Sequence, residues 1–176
     1  IREAAERGED AGTPAFMREW VKMADKLVAL AAEDETAHRL FSAGEKLKRA
    51  ALYYTTAERM QGHGHPGREE TYAKALHAFT RGTKFANDNV IRVEIPFEGK
   101  TLAGLWTRAP GSGARPAVIY CNGLDSTKEL LYFSWLPHAL AKRGISTLCV
   151  HQPGTGEALR LHGLSATDES ERWASK

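Results

Sequence analysis

Cysteine is scarce in this chain of 176 residues, and neither a long apolar segment nor a cluster of basic residues occurs. The two cysteines, Cys121 and Cys149, lie in short apolar runs typical of buried strands, so we expect inert core thiols rather than a disulfide or a catalytic pair. No segment is apolar enough to cross a membrane, and residues 1–7 lack the apolar stretch of a signal peptide. We therefore expect a cytoplasmic protein with no membrane partner.

The charge of the chain is nearly balanced, with 24 basic and 22 acidic side chains. Proteins that bind nucleic acids usually carry a clustered basic surface that displaces phosphate counterions, so nucleic acid is not an expected partner. Hydrophobic residues make up 42% of the sequence, which is enough for a globular core. The length fits one domain or two small ones.

Apolar residues recur at helical spacing between residues 14 and 85, with Thr13 as a candidate N-cap and Pro14 at the first helical position. The three predicted apolar faces are Phe16, Trp20, Met23, Leu27 and Leu30; Leu40, Ala43, Leu47, Ala50, Tyr54 and Ala57; and Tyr72, Leu76 and Phe79. The glycines and proline of residues 62–67 interrupt the pattern. We predict a helical N-terminal cap domain over residues 1–88, packed on another part of the protein.

The period of the pattern changes from 3.6 to 2 after residue 88. Residues 91–97 and 102–107 predict an antiparallel hairpin, in which Pro96 favours a sheet edge. The continuous apolar runs at residues 117–121 and 145–150 are typical of strands covered on both faces. A helix predicted over residues 127–143 joins them, with a capping box at Ser126 and Glu129 and a stop at Gly144. Residues 89–176 are thus a second domain, and the fold class is α/β.

Two glycine-containing loops follow the two buried strands, at residues 122–125 and 151–157. Ligands of open parallel sheets bind beyond the carboxyl ends of the strands. Backbone N–H groups in such loops can approach a bound oxygen closely, although glycines are also ordinary turn residues. An N–H directed at a developing oxyanion stabilises a transition state by roughly 3 kcal/mol.

Four motifs in this order resemble the first half of an α/β-hydrolase: residues 96–99, 102–104, 122–129 and 152–157. Together with the helical prefix they are similar to the branch that includes the 2,6-dihydroxypseudooxynicotine hydrolase and the FrsA-like esterases. The resemblance implies an α/β fold in which a helical cap is followed by the first strands of an incomplete α/β-hydrolase sheet. In such a truncated sheet we expect the strand at residues 145–150 to be an exposed edge.

The resemblance also implies roles for individual residues. The backbone N–H of Leu124, or of Gly123, would be an oxyanion-hole donor, while the nucleophilic serine, its acid and its histidine would lie beyond residue 176. No Gly-x-Ser-x-Gly motif occurs in the chain, and Ser112 lies in a linker between strands. We therefore expect residues 1–176 alone to be inactive. The intact enzyme would need no cofactor, would act on a small-molecule substrate with an aromatic one as a candidate, and would be a candidate homodimer.

The histidines carry two further interpretations. Relatives usually have an aspartate where this chain has His151, and we interpret His151 as a structural variation rather than a catalytic base. His63 and His65, with His38 and His77 elsewhere in the helices, could bind a metal, but no cysteine or carboxylate lies at ligand spacing beside them. A solvated loop is the favoured interpretation.

The sequence is also compatible with a function of another class. Residues 14–85 resemble a tetratricopeptide hairpin and could bind a partner peptide, with the α/β part as a scaffold. The cap aromatics Trp20, Tyr53, Tyr54 and Phe79 could line a substrate pocket, but a core role is favoured for them.

Overall fold

The computed structural model describes residues 2–8, 14–62 and 64–176, without the side chains of Glu3 and Ala4. Thr13 and His63 lie outside the described residues. The chain divides into two compact units, Ile1–Asp88 and Asn89–Lys176. The described part of the first unit contains helices α1 (Arg2–Glu6), α2 (Pro14–Thr36), α3 (Leu40–Arg59) and α4 (Arg68–Phe85). The second contains β1 (Ile91–Phe97), β2 (Lys100–Thr107), β3 (Ala117–Cys121), α5 (Lys128–Phe133), α6 (Leu136–Ala141), β4 (Ser146–Val150), α7 (Gly156–Arg160) and α8 (Glu171–Ala174).

Helix α3 is the central helix of the first unit and packs against both α2 and α4. Its predicted apolar face is buried at Ala43, Leu47, Ala50, Tyr54 and Ala57, whereas Leu40 is 46% exposed. The backbones of α3 and α4 approach each other closely where residue 82 is a glycine. A Cβ on Gly82 would lie only 2.8 Å from the backbone nitrogen of Lys48. Nothing in the described part of the chain combines the length and the hydropathy that a membrane-spanning helix requires.

The buried face of α2 differs from the predicted one. Its buried apolar residues are Ala15, Met17, Ala24 and Ala31, while Met23 is 45% exposed and Phe16 and Trp20 are half-buried. Alanines permit a close approach to α3, so the contact face is rotated toward them and away from the larger side chains. Among the cap aromatics for which a core role was predicted, Tyr54 and Phe79 are buried, with 3% and 4% exposure.

The predicted hairpin is present in the second unit. Strands β1 and β2 pair in antiparallel register from Ile91 opposite Trp106 to Phe97 opposite Lys100. Glu98 and Gly99 form the turn with φ of 50° and 71°, the left-handed pair that matches the twist of a two-residue hairpin. Phe97 and Leu102 pack on Ala158 in the core of this unit.

The sheet order is β1-β2-β4-β3, with β3 and β4 parallel as predicted for the crossover. Two expectations were wrong. Strand β4 is not an exposed edge, because it lies between β2 and β3. Strand β3 is the edge instead and is not covered on both faces: Ile119 is 66% exposed, and Cys121 is exposed rather than a core thiol.

The single helix predicted over residues 127–143 is also wrong. Trp135 adopts a left-handed φ of 61° and separates α5 from α6, because an L-residue in that conformation cannot continue a right-handed helix. The predicted capping box is absent as well. Thr127 rather than Ser126 is the N-cap, its hydroxyl accepts the N–H of Leu130 at 3.4 Å, and Glu129 is engaged in an ion pair. Gly144 ends the segment with a φ of 78°, as predicted.

Candidate functional site

The two predicted loops lie side by side at the carboxyl edge of the sheet. Cys121, the last residue of β3, pairs with Val150, the last residue of β4, so the chains that leave both strands start next to each other. Residues 122–127 lead from β3 into α5, and residues 151–155 lead from β4 into α7. The parallel pairing therefore brings together the loops that the sequence singled out.

Asn122 organises the first loop from inside. Its side chain is buried, and its amide nitrogen donates to the carbonyl oxygens of Ser126 at 2.6 Å and Gly123 at 3.1 Å. The hydroxyl of Thr155 in the second loop donates to the carbonyl oxygen of Gln152 at 2.9 Å and lies 3.4 Å from the amide oxygen of Asn122. The loop thus closes on a buried amide that also contacts its neighbour.

Gly123 and Leu124 occupy the outer side of the same loop. Leu124 is 71% exposed, and a Cβ on Gly123 would meet no atom within 4 Å. Among the described residues, neither N–H donates a hydrogen bond to another protein group. The backbone N–H groups of both predicted site residues are therefore available to a ligand at the carboxyl edge of the sheet.

A buried ion cluster lies at the starts of α5 and α7, and the sequence did not predict it. Lys128, Glu129 and Glu157 have side chains that are 1%, 4% and 4% exposed, and the ammonium group of Lys128 contacts both carboxylates. Arg92 of β1 approaches Glu157 from the other side with two parallel hydrogen bonds of 2.8 Å each. The cluster joins a strand and two helices through three buried charges and the guanidinium group of Arg92, which is 43% exposed.

The charges of the cluster stabilise one another. Burial alone would raise the pKa of Glu157, but the hydrogen bonds from Arg92 and the charge of Lys128 outweigh it and lower that pKa to about 2. The same hydrogen bonds raise the pKa of Arg92 above its ordinary value despite partial desolvation. Glu157 is therefore ionised throughout the physiological range and acts as a fixed counter-charge rather than a general acid.

His151 is enclosed between these two helix starts and is 0% exposed. The backbone N–H of Lys128 points at its Nε2 at 2.8 Å, and the backbone N–H of Glu157 points at its Nδ1 at 3.2 Å. Burial lowers the pKa of His151 well below 6.5, and the nearby charges of Lys128, Arg160 and Arg92 lower it further. The ring is neutral and faces backbone rather than an open cleft.

The remaining candidate groups lie apart from this edge or are held in unreactive form. Burial raises the pKa of Cys149 to about 12, with a contribution from the charge of Glu129, so that thiol stays protonated. Partial desolvation also raises the pKa of Cys121, although this residue is exposed at the end of β3. Within residues 2–8, 14–62 and 64–176, no group of three His, Cys, Asp or Glu side chains could hold a metal ion.

The helical unit followed by a mixed four-stranded sheet, with the loops after β3 and β4 side by side at its carboxyl edge, is the architecture of an incomplete α/β-hydrolase. The chain matches the family described as esterase FrsA-like over residues 12–170 and belongs to that family.

Similar proteins agree with this assignment. Hydrolase LUC6 of Fusarium sp. is 32% identical over 180 residues, which is 98% of this chain and 42% of that protein. The α/β-hydrolase gkaG of Penicillium citrinum is 30% identical over 147 residues, or 80% of this chain and 34% of that protein. The crystal structure of the 2,6-dihydroxy-pseudo-oxynicotine hydrolase superposes with a TM-score of 0.73 at 24% identity, covering 89% of this chain and 43% of that one. The chain therefore spans less than half the length of these proteins.

Proposed function

We propose that the whole protein is a hydrolase that cleaves an ester, or a C–C bond next to a carbonyl, with a serine nucleophile supplied by residues that follow Lys176. Membership of the FrsA-like esterase family and the hydrolase relatives support this class of reaction. A neutral histidine and a carboxylate, also outside residues 1–176, would activate the serine.

In this proposal the loop after β3 provides part of the oxyanion hole. The observation that carries it is the exposed position of Leu124, with an N–H that no described residue accepts, beyond the carboxyl end of a parallel strand. Leu124 is the first candidate donor and Gly123 the second. Preorganised N–H groups of this kind act on the charge that develops in the transition state and need no reorganisation during the reaction.

The substrate is a small molecule, and no step of the proposed reaction requires a cofactor or a metal. The family description favours an ester, and the name of the structural neighbour keeps a ketone-bearing aromatic substrate as a second class to test. The match to the family includes α2, α3 and α4 of the helical unit, which favours a cap of the enzyme over a separate peptide-binding module.

A fluorophosphonate probe tests the proposal directly, because it reacts covalently with an activated serine. We expect the full-length protein to be labelled and to hydrolyse 4-nitrophenyl esters, and residues 1–176 alone to do neither. Labelling of residues 1–176 would contradict the placement of the nucleophile. A full-length protein that is neither labelled nor active on esters or on aryl ketones would contradict the proposed reaction class.

A further inference from the structure

We propose that His151 is a positioning residue, which holds the candidate oxyanion-hole loop (residues 122–127) in place. Its Nε2 accepts the backbone N–H of Lys128 and so fixes the point where residues 122–127 enter α5. The proposal rests on the hydrolase function proposed above, because positioning matters only if the loop serves a reaction.

The two contacts of the imidazole cannot both be hydrogen bonds. A neutral imidazole has one protonated nitrogen and one acceptor nitrogen, yet backbone N–H groups point at both nitrogens of His151. A proton on Nε2 would face the N–H of Lys128 across 2.8 Å, and the Oε2 atom of Glu129, at 3.9 Å, is too far away to accept it. A proton on Nδ1 faces the N–H of Glu157 across the longer distance of 3.2 Å. The tautomer protonated at Nδ1 therefore has the smaller conflict, and it leaves Nε2 as the acceptor.

The surroundings keep the ring neutral, which this role requires. An imidazolium has no free lone pair and could accept no hydrogen bond. Complete burial and the positive charges of Lys128, Arg160 and Arg92 all oppose protonation of His151. The ring reaches its place only because residue 156 is a glycine, since a Cβ there would lie 2.1 Å from Nε2.

Lys128 is held at both of its ends. Its backbone N–H is bound by His151, and its ammonium group is bound by Glu129 and Glu157. At the other end of the loop, Asn122 is fixed by its hydrogen bonds to Ser126 and Gly123. Gly123 and Leu124 therefore lie between two buried residues, Asn122 and Lys128, that are held by hydrogen bonds and ion pairs. A displacement of about 1 Å at a catalytic group can lower a rate about 100-fold, so the fixation of these points is expected to affect turnover.

Two conservative substitutions in the full-length protein test the contributions of the two ring nitrogens of His151 separately. In His151→Gln, the side-chain oxygen can take the place of Nε2, whereas in His151→Asn it takes the place of Nδ1. We expect kcat of His151→Gln on a 4-nitrophenyl ester to stay within about 3-fold of wild type, and kcat of His151→Asn to fall about 10-fold or more, with KM changed less than about 3-fold in both. Gly82→Ala, which destabilises the helical unit, serves as a stability control and is expected to leave kcat at 25 °C unchanged.

Nuclear magnetic resonance provides a readout that does not depend on activity. We expect the ¹⁵N shifts of the His151 ring to show a protonated Nδ1 and an unprotonated Nε2. The Lys128 amide should exchange slowly in wild type and in His151→Gln, and faster in His151→Asn. A proton on Nε2, or equal losses of kcat in the two variants, would overturn the positioning role in an active enzyme. A wild-type protein that is not labelled by the fluorophosphonate and turns over neither the ester nor an aryl ketone would instead overturn the proposed function, and the positioning role with it.

Discussion

The ammonium group of Lys128 and the carboxylate of Glu157 form an ion pair in which the two side chains are only 1% and 4% exposed. Burial of a charge is costly, and a close partner is what makes it tolerable. Glu129 and Arg92 complete the cluster as a second anion and a second cation, so two positive and two negative groups meet at one place. The cluster connects edge strand β1 with the start of α5, the helix that follows the candidate oxyanion-hole loop.

Removal of one partner from this cluster should be strongly destabilising. We expect Lys128→Met to lower the free energy of unfolding by about 3 kcal/mol or more, because two buried carboxylates lose a common counter-ion. The measurement is urea denaturation at pH 7. Arg172→Met is the matched control, since its pair with Glu98 has side chains that are 51% and 43% exposed, and it should lower the free energy of unfolding far less. Equal losses in the two variants would refute the importance of burial here.

Acid should weaken the same cluster in a defined pH range. The pKa of Glu157 is lowered from 4.5 to about 2 in the folded protein, so its ionised form stabilises the fold. This contribution, on the order of 3 kcal/mol, is complete above pH 4.5 and is lost as the pH falls toward 2. We expect wild type to be more stable than Glu157→Gln at pH 7 and the difference to shrink between pH 4.5 and 2. A difference that stays constant over this range would show that Glu157 is not the titrating group.

The sequence predicted the fold well where local pattern decides the structure. The alternation of residues 91–97, the antiparallel hairpin that it begins and the stop at Gly144 depend on neighbouring residues, and all are present. The helix predicted over residues 127–143 was wrong because apolar periodicity continues through Trp135, whose left-handed backbone the pattern does not reveal. The error about the sheet edge has a topological cause, since sequence order does not state that β4 inserts between β2 and β3.

The candidate site divides in the same way. The glycine that follows the apolar run of residues 117–121 made the loop of Gly123 and Leu124 a candidate, because that signal is local. The ion cluster was missed because Arg92 and Glu157 are 65 residues apart and meet only through the packing of α7 on the sheet. The signal available in the sequence was the pair Lys128 and Glu129, two charged residues directly before the apolar residues of α5, where surface positions were the simpler interpretation.

The crossing of α3 and α4 depends on backbone contact. A Cβ on Gly82 would lie 2.8 Å from the backbone nitrogen of Lys48, and the backbone cannot move aside as a flexible side chain would. We expect Gly82→Ala to lower the free energy of unfolding by about 1–3 kcal/mol despite the better helix propensity of alanine. Gly62→Ala is the control, because a Cβ there meets no atom within 4 Å. Thermal unfolding followed by circular dichroism would decide, and an unchanged midpoint for Gly82→Ala would contradict the close approach.

Strand β3 offers an unpaired edge with apolar side chains. Val118 and Ile119 are 40% and 66% exposed, and an exposed, apolar edge strand pairs readily with another chain. We expect residues 1–176 alone to self-associate, and Ile119→Lys to shift the chain toward the monomer in sedimentation velocity. Ile91→Lys places the same charge on an exposed position of the other edge strand, β1, and should have the smaller effect. If wild-type residues 1–176 are monomeric at about 0.1 mM, β3 does not mediate self-association.

Leu124 provides the most direct test of the candidate oxyanion hole. Proline at this position removes the backbone N–H, whereas alanine removes most of the side chain and keeps the N–H. In the full-length protein we expect Leu124→Pro to lower kcat for a 4-nitrophenyl ester about 100-fold or more with a smaller change in KM, because the lost hydrogen bond acts on the transition state. Leu124→Ala should stay within about 5-fold of wild type, because it keeps the backbone N–H that acts on the transition state. If Leu124→Pro retains full turnover, Gly123 becomes the donor to test next by the same pair of substitutions, and equal losses in the proline and alanine variants would assign the effect to the side chain instead.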